Sequence, residues 1–288
     1  MTVLTIEGLR IMIGSVPILR GVDLKIDRNR VHGLVGESGA GKTMVGKAII
    51  NALPDAARIT GGAIRFDGRD LIAMSVRERR RLLGRSIAMI LQNPMTALNP
   101  VIRIGEQMAD ILAYHLAVSR RAAAERAAEM LAAVHIREPG RVLRLYPHEI
   151  SGGMCQRVAI ALAFACEPQL IVADEPTTAL DVTVQYRVLR LLKEMQGRTQ
   201  SAVLFVTHDL GVVAKVCDDV SVMFAGRIVE SAPVADLFAY PRHAYTAALL
   251  AATPRYDLPA STLKPIPEAL RARLWQEAFA DDRIAGRV

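Results

Sequence analysis

The stretch GESGAGKT combines the residue types that proteins use to wrap a phosphate chain. It fits the pattern G-x-x-x-x-G-K-[ST], in which glycines let the backbone approach an anion without side-chain clashes. The peptide N–H groups and the start of the following helix then face the negative charge. Lys42 is expected to reach the β- and γ-phosphates, and Thr43 to place its hydroxyl on Mg²⁺. The predicted phosphate-binding residues are Gly36, Glu37, Ser38, Gly39, Ala40, Gly41, Lys42 and Thr43.

Two adjacent carboxylates, Asp174 and Glu175, end the apolar run LIVADE. A buried strand would bring Asp174 beside a phosphate loop, where it can hold Mg²⁺ directly or through water. Glu175 can then polarise an attacking water as a general base. The alternative is that these acids only cap a helix, since EPTT follows. The presence of the phosphate loop favours the catalytic interpretation.

Two further polar residues follow apolar strands. His208 ends VLFVTH, and Gln92 follows AMIL. Open α/β folds bind ligands at the carboxyl ends of their strands, so His208 is predicted to contact the γ-phosphate. The amide of Gln92 is predicted to reach the metal or the attacking water. Each residue could also be an ordinary polar group at a strand end.

A second glycine pair occurs far along the chain, in ISGGMCQR. Ser151, Gly152 and Gly153 are of the types that contact a phosphate, and the run that follows them has helical spacing. The N-terminus of that helix would aim its dipole at an anion. The sequence therefore predicts a second phosphate-contacting element, and the residues themselves do not say which nucleotide it serves.

These residues require a sheet to position them. The runs LTIEGLRIMI, GVDLKI, VHGLVG and GGAIRFDG read as strands, and QLIVADE and AVLFVTHD lack alternation, which is typical of parallel strands covered on both faces. KTMVGKAIINAL, GGMCQRVAIALAFAC and TVQYRVLRLLKEMQ have helical spacing, and DDVSVMFAGRIVE is turn-rich. The pattern predicts an α/β fold: a P-loop NTPase core with a parallel sheet, helices on both faces and an N-terminal antiparallel β subdomain.

The middle and the end of the chain differ from this core. SRRAAAERAAEMLAAVHI is rich in alanine, arginine and glutamate and has no strand signal. It predicts an inserted helical subdomain at about residues 95–165. Residues 231–288 contain several prolines and glycines and have weaker periodicity, which predicts a short, partly helical appendage.

Composition narrows the class of protein. Apolar residues make up 51% of the 288, but no run approaches the roughly 18 uncharged residues that a membrane helix needs, so we expect a soluble protein. The three cysteines have no close pairing and no metal spacing. The net charge of +7 could suit nucleic acid or an anionic membrane, or reflect an arginine-rich surface. The basic run SVRERRRLLGRS also has two interpretations: it could contact nucleic-acid phosphates, or it could form a helix face that is exposed to solvent.

Taken in chain order, GESGAGKT, Gln92, ISGGMCQR, LIVADE, TTALD and VTHD resemble the nucleotide-binding subunit of an ATP-binding cassette (ABC) transporter. The SGGM-Q element is the most specific part of this resemblance. PMTALNP, LYPHEISGGM, DEPTTALDVTVQ and the tail YPRHAYTAALLAATP resemble the importer branch for peptides and nickel. The tail is similar to the His-Pro-Tyr segment of that branch, with Ala244 in place of the proline.

The resemblance implies that the nucleotide is ATP and that two cassettes stack head to tail. Ser151, Gly152 and Gly153 would then contact the γ-phosphate of ATP held by the partner cassette. Residues 1–230 would form the cassette, and residues 231–288 the importer-type tail. The implied protein is an ATP-hydrolysing subunit on the cytoplasmic face of the inner membrane that energises import of di- or oligopeptides or nickel. Its implied partners are two transmembrane permease subunits, a second ABC ATPase (a paralogue rather than a second copy) and, indirectly, an extracytoplasmic substrate-binding protein.

Two departures and one alternative accompany the resemblance. Where the family stacks adenine on an aromatic ring, this sequence offers Ile11 and Ile13, so we expect weaker adenine binding. The tail has no cysteine for an iron–sulfur cluster such as many relatives carry. The alternative is an ABC ATPase acting on nucleic acid or ribosomes, which basic charge would suit. The paired cassettes, coiled-coil arms or zinc insertions of such proteins are not evident, so we expect no nucleic-acid partner.

Overall fold

The structure is a computed structural model that describes residues 1–177, 181–253 and 265–284. Its strands are β1 (Thr2–Ile13), β2 (Val16–Asp27), β3 (Val31–Val35), β4 (Ala57–Phe66), β5 (Arg69–Asp70), β6 (Ile87–Ile90), β7 (Leu170–Asp174), β8 (Ala202–Thr207), β9 (Asp219–Phe224) and β10 (Arg227–Pro233). Its helices are α1 (Lys42–Ile49), α2 (Val76–Leu82), α3 (Ile104–Leu116), α4 (Arg120–Ala133), α5 (Pro139–Val142), α6 (Gly152–Phe164), α7 (Val182–Thr199), α8 (Leu210–Val216), α9 (Val234–Ala239), α10 (Ala244–Ala251) and α11 (Glu268–Ile284). Short 3-10 helices span Pro94–Ala97 and Pro147–Glu149.

The strands form an antiparallel sheet in the order β2-β1-β4-β5 and a mixed sheet in the order β10-β9-β3-β8-β7-β6. The chain divides into two compact units, and the division falls within β8. The P-loop unit comprises Thr2–Ile26, Arg30–Ile72 and Phe205–Val288. The helical unit comprises Met1, Asp27–Asn29 and Ala73–Leu204. Each unit is described by itself below.

In the P-loop unit, polar and apolar residues alternate along β2 as expected for a strand with one buried face. Val22, Leu24 and Ile26 are buried, whereas the residues between them are exposed. β1 pairs antiparallel with β4, with Leu4 opposite Phe66 and a register shift after Glu7. This sheet is the antiparallel β subdomain predicted from the sequence.

The mixed sheet contributes β3, β9 and β10 to the same unit. β3, which is predicted as a strand, is buried along its whole length and lies parallel to β9. The stretch described as turn-rich from its sequence is a hairpin of β9 and β10. Ala225 and Gly226 close it with φ values of 47° and 79°, the left-handed pair that a tight hairpin turn requires.

The helical unit carries β6 and β7 in parallel, together with α2 to α7. α3 buries one stripe, formed by Ile104, Met108 and Leu112, and packs against α4. α4 in turn contacts α6 through its own buried face, so the alanine-rich stretch is helical, as predicted. Ser119 caps the start of α4 by accepting a hydrogen bond from Ala122 N.

The C-terminal tail is partly helical, as predicted, with α9, α10 and α11 among its described residues. Residues 254–264 and 285–288 of the predicted tail lie outside the described residues. Within the described part of the chain, no helix has both the length and the apolar character needed to cross a membrane.

Candidate active site

Two glycines of the P-loop are required by the packing around them. A Cβ on Gly36 would lie 2.1 Å from the carbonyl oxygen of Met223, and a Cβ on Gly41 would lie 2.8 Å from Leu19 Cδ2. Both have positive φ, 155° and 102°. The loop is also held to the β9–β10 turn, because Gly226 N donates a hydrogen bond of 3.0 Å to Ala40 O. The loop between β3 and α1 is therefore fixed by its own unit.

Lys42 begins α1 and is almost fully buried, with 4% of its surface exposed. Its ammonium donates to Gly36 O at 2.8 Å and to Glu37 O at 2.9 Å, so it curls back over the loop. Ser38 and Gly39 are exposed at the tip, and Thr43 is half-buried in the first turn of the helix. No side chain caps this helix start. The cation and the first-turn N–H groups thus lie together at the loop that is predicted to bind phosphate.

Sequence reasoning missed two residues that contact this loop. Tyr245 and Arg271 of the tail both reach the carboxylate of Glu37. The sequence around Tyr245 indicates only a resemblance to the tail of the importer branch. Nothing in the local sequence marks Arg271, because its partner lies 234 positions away.

His208 is exposed immediately after β8. The following Asp209 starts α8, because its Oδ1 accepts hydrogen bonds from Gly211 N at 2.8 Å and Val212 N at 3.2 Å. The VTHD stretch therefore ends a buried strand and begins a helix, and it presents the histidine to solvent.

In the helical unit, the strand register brings Gln92 and Glu175 together. β6 and β7 run in parallel with Ile90 beside Ala173, so the residues two positions further along are neighbours. Gln92 Nε2 donates to Glu175 Oε2 at 3.4 Å. The amide and the carboxylate predicted to act on one water are thus in contact.

Glu175 has a positive φ of 46°, which is unusual for a residue with a side chain. Asp174, one residue earlier, ends the fully buried β7 and is 6% exposed. Glu175 is half-buried. The chain therefore turns sharply between the two acids, and they do not continue into a helix as a simple cap would. Such strained conformations occur preferentially at functional sites.

Ser151 caps α6 by accepting a hydrogen bond of 3.3 Å from Met154 N. Gly152 and Gly153 follow in the first turn, and a Cβ on either would meet nothing within 4 Å. Neither has a positive φ. Since glycine is a weak helix former, the described fold gives no packing or backbone reason for this pair. An open surface that lets a ligand approach the helix start is consistent with the predicted second phosphate contact.

α6 connects the glycine pair to other parts of the helical unit. Gln156 is 1% exposed, and its Nε2 donates a hydrogen bond of 3.0 Å to the carbonyl oxygen of Pro176, the residue that follows Glu175. Cys155 is fully buried with its Sγ 3.6 Å from Pro94 O. Burial raises the pKa of the Cys155 thiol. Cys155 therefore acts as a small packing residue between α6 and the segment that follows Gln92.

A cavity of about 560 Å³ opens beside Ser151 and Gly153. Four arginines and two glutamates line it: Arg137, Arg141, Arg157, Arg187, Glu138 and Glu149. Apolar side chains such as Val142, Leu145 and Leu191 also line it, and Arg141 pairs with Glu138, so a small excess of positive charge borders a mainly apolar concave surface.

The remaining predicted features are placed as follows. Residues 178–180 of the TTALD motif lie outside the described residues. Ile11 is fully buried and Ile13 half-buried. Within the described chain no group of three or more His, Cys, Asp or Glu could hold a metal. The predicted Mg²⁺ ligands, Thr43, Gln92 and Asp174, are a mixed set of hydroxyl, amide and carboxylate oxygens, which suits this hard cation.

Comparison with known families accounts for most of the chain. Residues 19–178 match the ABC transporter family. Residues 229–276 match the oligopeptide/dipeptide transporter C-terminal region. The second match contains Tyr245 and Arg271, the two residues that contact Glu37.

Among similar proteins, the dipeptide transport ATP-binding protein DppD of Bacillus subtilis is 44% identical over 92% of this chain and 80% of its own length. The probable D,D-dipeptide transport ATP-binding protein DdpD of Escherichia coli is 48% identical over 88% of this chain and 78% of its own. The oligopeptide transport ATP-binding protein OppD of B. subtilis is 46% identical over 85% and 68%.

Solved structures of similar fold are ATP-binding cassettes. The dimeric cassette MJ0796, in a post-hydrolysis state with ADP and Pi, superposes with a TM-score of 0.70 at 25% identity, covering 80% of this chain and 98% of that one. CbiO1 from Clostridium perfringens, part of the transporter complex CbiONQ, gives 0.71 at 26% identity, covering 83% and 91%. The predicted fold class is therefore confirmed. The chain belongs to the ABC transporter family, as an ATP-hydrolysing subunit that carries the oligopeptide/dipeptide transporter C-terminal region.

Proposed function

We propose that this subunit hydrolyses ATP to drive import of di- or oligopeptides through a membrane transporter. One observation carries the proposal: a chain with the phosphate-loop pattern GESGAGKT and the adjacent acids Asp174 and Glu175 also matches the oligopeptide/dipeptide transporter C-terminal region at residues 229–276. The names of DppD, DdpD and OppD, which are all peptide transport proteins, support a peptide cargo. The proposed cassette spans residues 1–230, with the helical subdomain inserted at about 95–165, and the tail spans 231–288.

The proposed chemistry gives each residue a role, and it gives Gln92 two. The N–H groups of the P-loop and the ammonium of Lys42 bind the phosphates. Glu175 accepts a proton from the attacking water, and Gln92, which contacts its carboxylate, orients that water. His208 contacts the γ-phosphate. Mg²⁺, held by Thr43, Gln92 and Asp174, would neutralise charge on the phosphate oxygens.

The proposed partner across the nucleotide is a second cassette, a paralogue rather than a second copy. Ser151, Gly152 and Gly153 of this chain contact the γ-phosphate of ATP in the partner's P-loop. The open space around both glycines and the cavity beside them, with its small excess of positive charge, support this assignment. The dimeric state of the similar cassette MJ0796 supports it as well.

The proposed location is the cytoplasmic face of the inner membrane, where the subunit is peripheral and bound to two transmembrane permeases. An extracytoplasmic binding protein delivers the cargo to those permeases. The membership of similar CbiO1 in the CbiONQ transporter complex supports assembly with other subunits.

The test is to purify the subunit with its permeases and partner cassette and reconstitute them in lipid vesicles with the binding protein. We expect ATP-dependent uptake of a labelled tripeptide and stimulation of ATP hydrolysis by the loaded binding protein. Glu175→Gln should abolish both, whereas the surface variant Glu125→Gln should not. Uptake of Ni²⁺ instead of peptide would contradict the peptide cargo and identify nickel, the other cargo of the predicted importer branch, as the substrate. Stimulation by RNA and not by the binding protein would favour the nucleic-acid alternative.

A further inference from the structure

Glu37 is the only acidic residue of the P-loop GESGAGKT. Its N–H, its carbonyl oxygen and its carboxylate all form hydrogen bonds. Its carbonyl oxygen accepts hydrogen bonds from Ala40 N at 3.2 Å and from Lys42 Nζ at 2.9 Å. Its N–H donates to the hydroxyl oxygen of Tyr245 at 3.3 Å. Its carboxylate accepts from the Tyr245 hydroxyl at 3.3 Å and from Arg271 Nη2 at 2.6 Å. Glu37 thus joins the loop that carries Lys42 to two residues of the tail.

Tyr245 is held firmly enough to act as a fixed contact. It is fully buried, and its ring lies 4.6 Å from that of Phe224, the last residue of β9. The backbone before it is anchored by Glu230, whose carboxylate accepts from Arg242 N at 2.8 Å and His243 N at 3.0 Å. Burial, followed by the charge of Glu37, raises the pKa of the Tyr245 hydroxyl, so it remains protonated and able to donate.

Arg271 has an electrostatic role at the same position. A carboxylate inside an anion-binding loop opposes the charge of the phosphates, because like charges at short range repel. The guanidinium of Arg271 pairs with that carboxylate at 2.6 Å and offsets its charge. Both side chains are partly exposed, 43% for Arg271 and 33% for Glu37, so salt should weaken the pair.

We propose that Tyr245 and Arg271 are positioning residues for ATP at this chain's own P-loop. They hold Glu37, and through its backbone they fix the loop conformation that presents Lys42 to the phosphates. The C-terminal region thereby contributes to nucleotide affinity although it lies outside the cassette motifs. This inference rests on the proposed binding of ATP by the P-loop.

The decisive variant is Tyr245→Phe, which removes the hydroxyl and keeps the ring against Phe224. We expect the Kd of the isolated subunit for ATP to rise about 2- to 12-fold, as for the loss of one net hydrogen bond that holds the loop. In the assembled transporter the KM for ATP should rise in the same proportion, and kcat should stay within about threefold because Glu175 and Gln92 are unchanged. The matched control is Tyr240→Phe, since Tyr240 lies 80% exposed on the same tail.

Arg271 is tested by charge removal and rescue. Arg271→Gln should weaken ATP binding and reduce the salt dependence of affinity, and Arg271→Lys should restore part of the loss by restoring the charge. Arg273→Gln is the control, because Arg273 pairs with Glu277 on the surface of the same helix, with 62% of its side chain exposed. Tyr245→Phe combined with Glu37→Gln should cost less than the sum of the two single changes.

Lys42→Ala separates this inference from the proposed function. If Lys42→Ala retains normal ATP affinity, the P-loop assignment fails and the inference fails with it. If Lys42→Ala loses binding but Tyr245→Phe and Arg271→Gln bind ATP like their controls, the positioning role alone is wrong. Additive effects of Tyr245→Phe and Glu37→Gln would also overturn it, since independent sites do not couple.

Discussion

Among single residues, Glu175 combines two unusual features. It takes a left-handed conformation directly after a buried strand, at a cost on the order of 1 kcal/mol for a residue with a Cβ. Its carboxylate contacts the amide of Gln92, which the parallel register of β6 and β7 brings beside it. A helix cap needs neither feature. The proposed role as general base explains both.

Replacing Glu175 with glutamine should therefore affect turnover and leave binding intact. The amide keeps the shape of the side chain but cannot accept the proton, a role worth about 10²–10⁴ in rate. We expect ATP hydrolysis by the assembled transporter to fall by that factor while the Kd for ATP stays within about twofold. Turnover equal to that of the wild type would place the base on another residue.

Replacing Lys42 should weaken ATP binding. Its ammonium lies over the loop, on Gly36 O and Glu37 O, where the phosphates are proposed to bind. Because charge-assisted hydrogen bonds contribute about 1.5–3 kcal/mol each, Lys42→Ala should weaken ATP binding by at least tenfold. Titration with a fluorescent ATP analogue measures this. Lys47→Ala, later on the same helix, serves as the control, and equal affinities for the two variants would contradict the assignment.

Among the helices, α6 is held by side chains at three positions and is open at two. Ser151 caps it, Gln156 fastens it to the segment after Glu175, and Cys155 packs it against the segment after Gln92. The two glycines contribute to none of these contacts. The helix is thus held at Ser151, Cys155 and Gln156, and the glycine pair faces open space.

Gly152→Asp tests this arrangement without disturbing the fold. The new Cβ meets nothing within 4 Å, and an acid in the first turn is favourable for a helix, so the melting temperature should not fall. ATP binding by the isolated subunit should also persist. Hydrolysis at the site formed with the partner's P-loop should collapse, because a carboxylate would face the γ-phosphate.

Calorimetry, nucleotide titration and turnover with a hydrolysis-competent partner separate these outcomes. Loss of ATP binding by the folded, isolated Gly152→Asp subunit would mean that the motif belongs to this chain's own pocket.

At the scale of the whole molecule, the sequence carries a net charge of +7, and its basic run is mostly exposed on and beside α2. That surface is typical of solvated arginines and does not by itself imply nucleic acid. The proposed second phosphate contact would instead require a pair of cassettes. ATP would then join two chains, and hydrolysis would release them.

ATP should accordingly control association. We expect the Glu175→Gln subunit, mixed with its partner cassette, to elute as a larger species on gel filtration with ATP and Mg²⁺ than with ADP. Adding Gly152→Asp to the same chain should reduce the larger species, because one of the shared phosphate contacts becomes repulsive. An elution volume that does not respond to ATP in the Glu175→Gln pair would contradict the shared-nucleotide arrangement.

Local patterns in the sequence predict the phosphate loop and many of the strands and helices. GESGAGKT between a strand and a helix predicts a phosphate loop, and the runs QLIVADE and AVLFVTHD, which lack alternation, predict the buried strands β7 and β8, since both signals depend on neighbouring residues. The alternation in β2 and the alanine-rich spacing of α4 are similarly local. The sequence predicts only a turn-rich stretch where β9 and β10 form a hairpin. A pair such as Ala225 and Gly226 indicates the turn but not the two strands that it joins.

Only the tertiary structure decided which distant residues meet. The contact of Gln92 with Glu175 depends on the register of two strands 83 positions apart, and that of Arg271 with Glu37 spans 234 positions. No periodicity encodes such pairs, because they arise when separate elements pack and their side chains must satisfy one another's charge. The open space around Gly152 and Gly153 is likewise a property of packing. The sequence shows two glycines, and the fold shows that nothing in the described chain fills the space beside them.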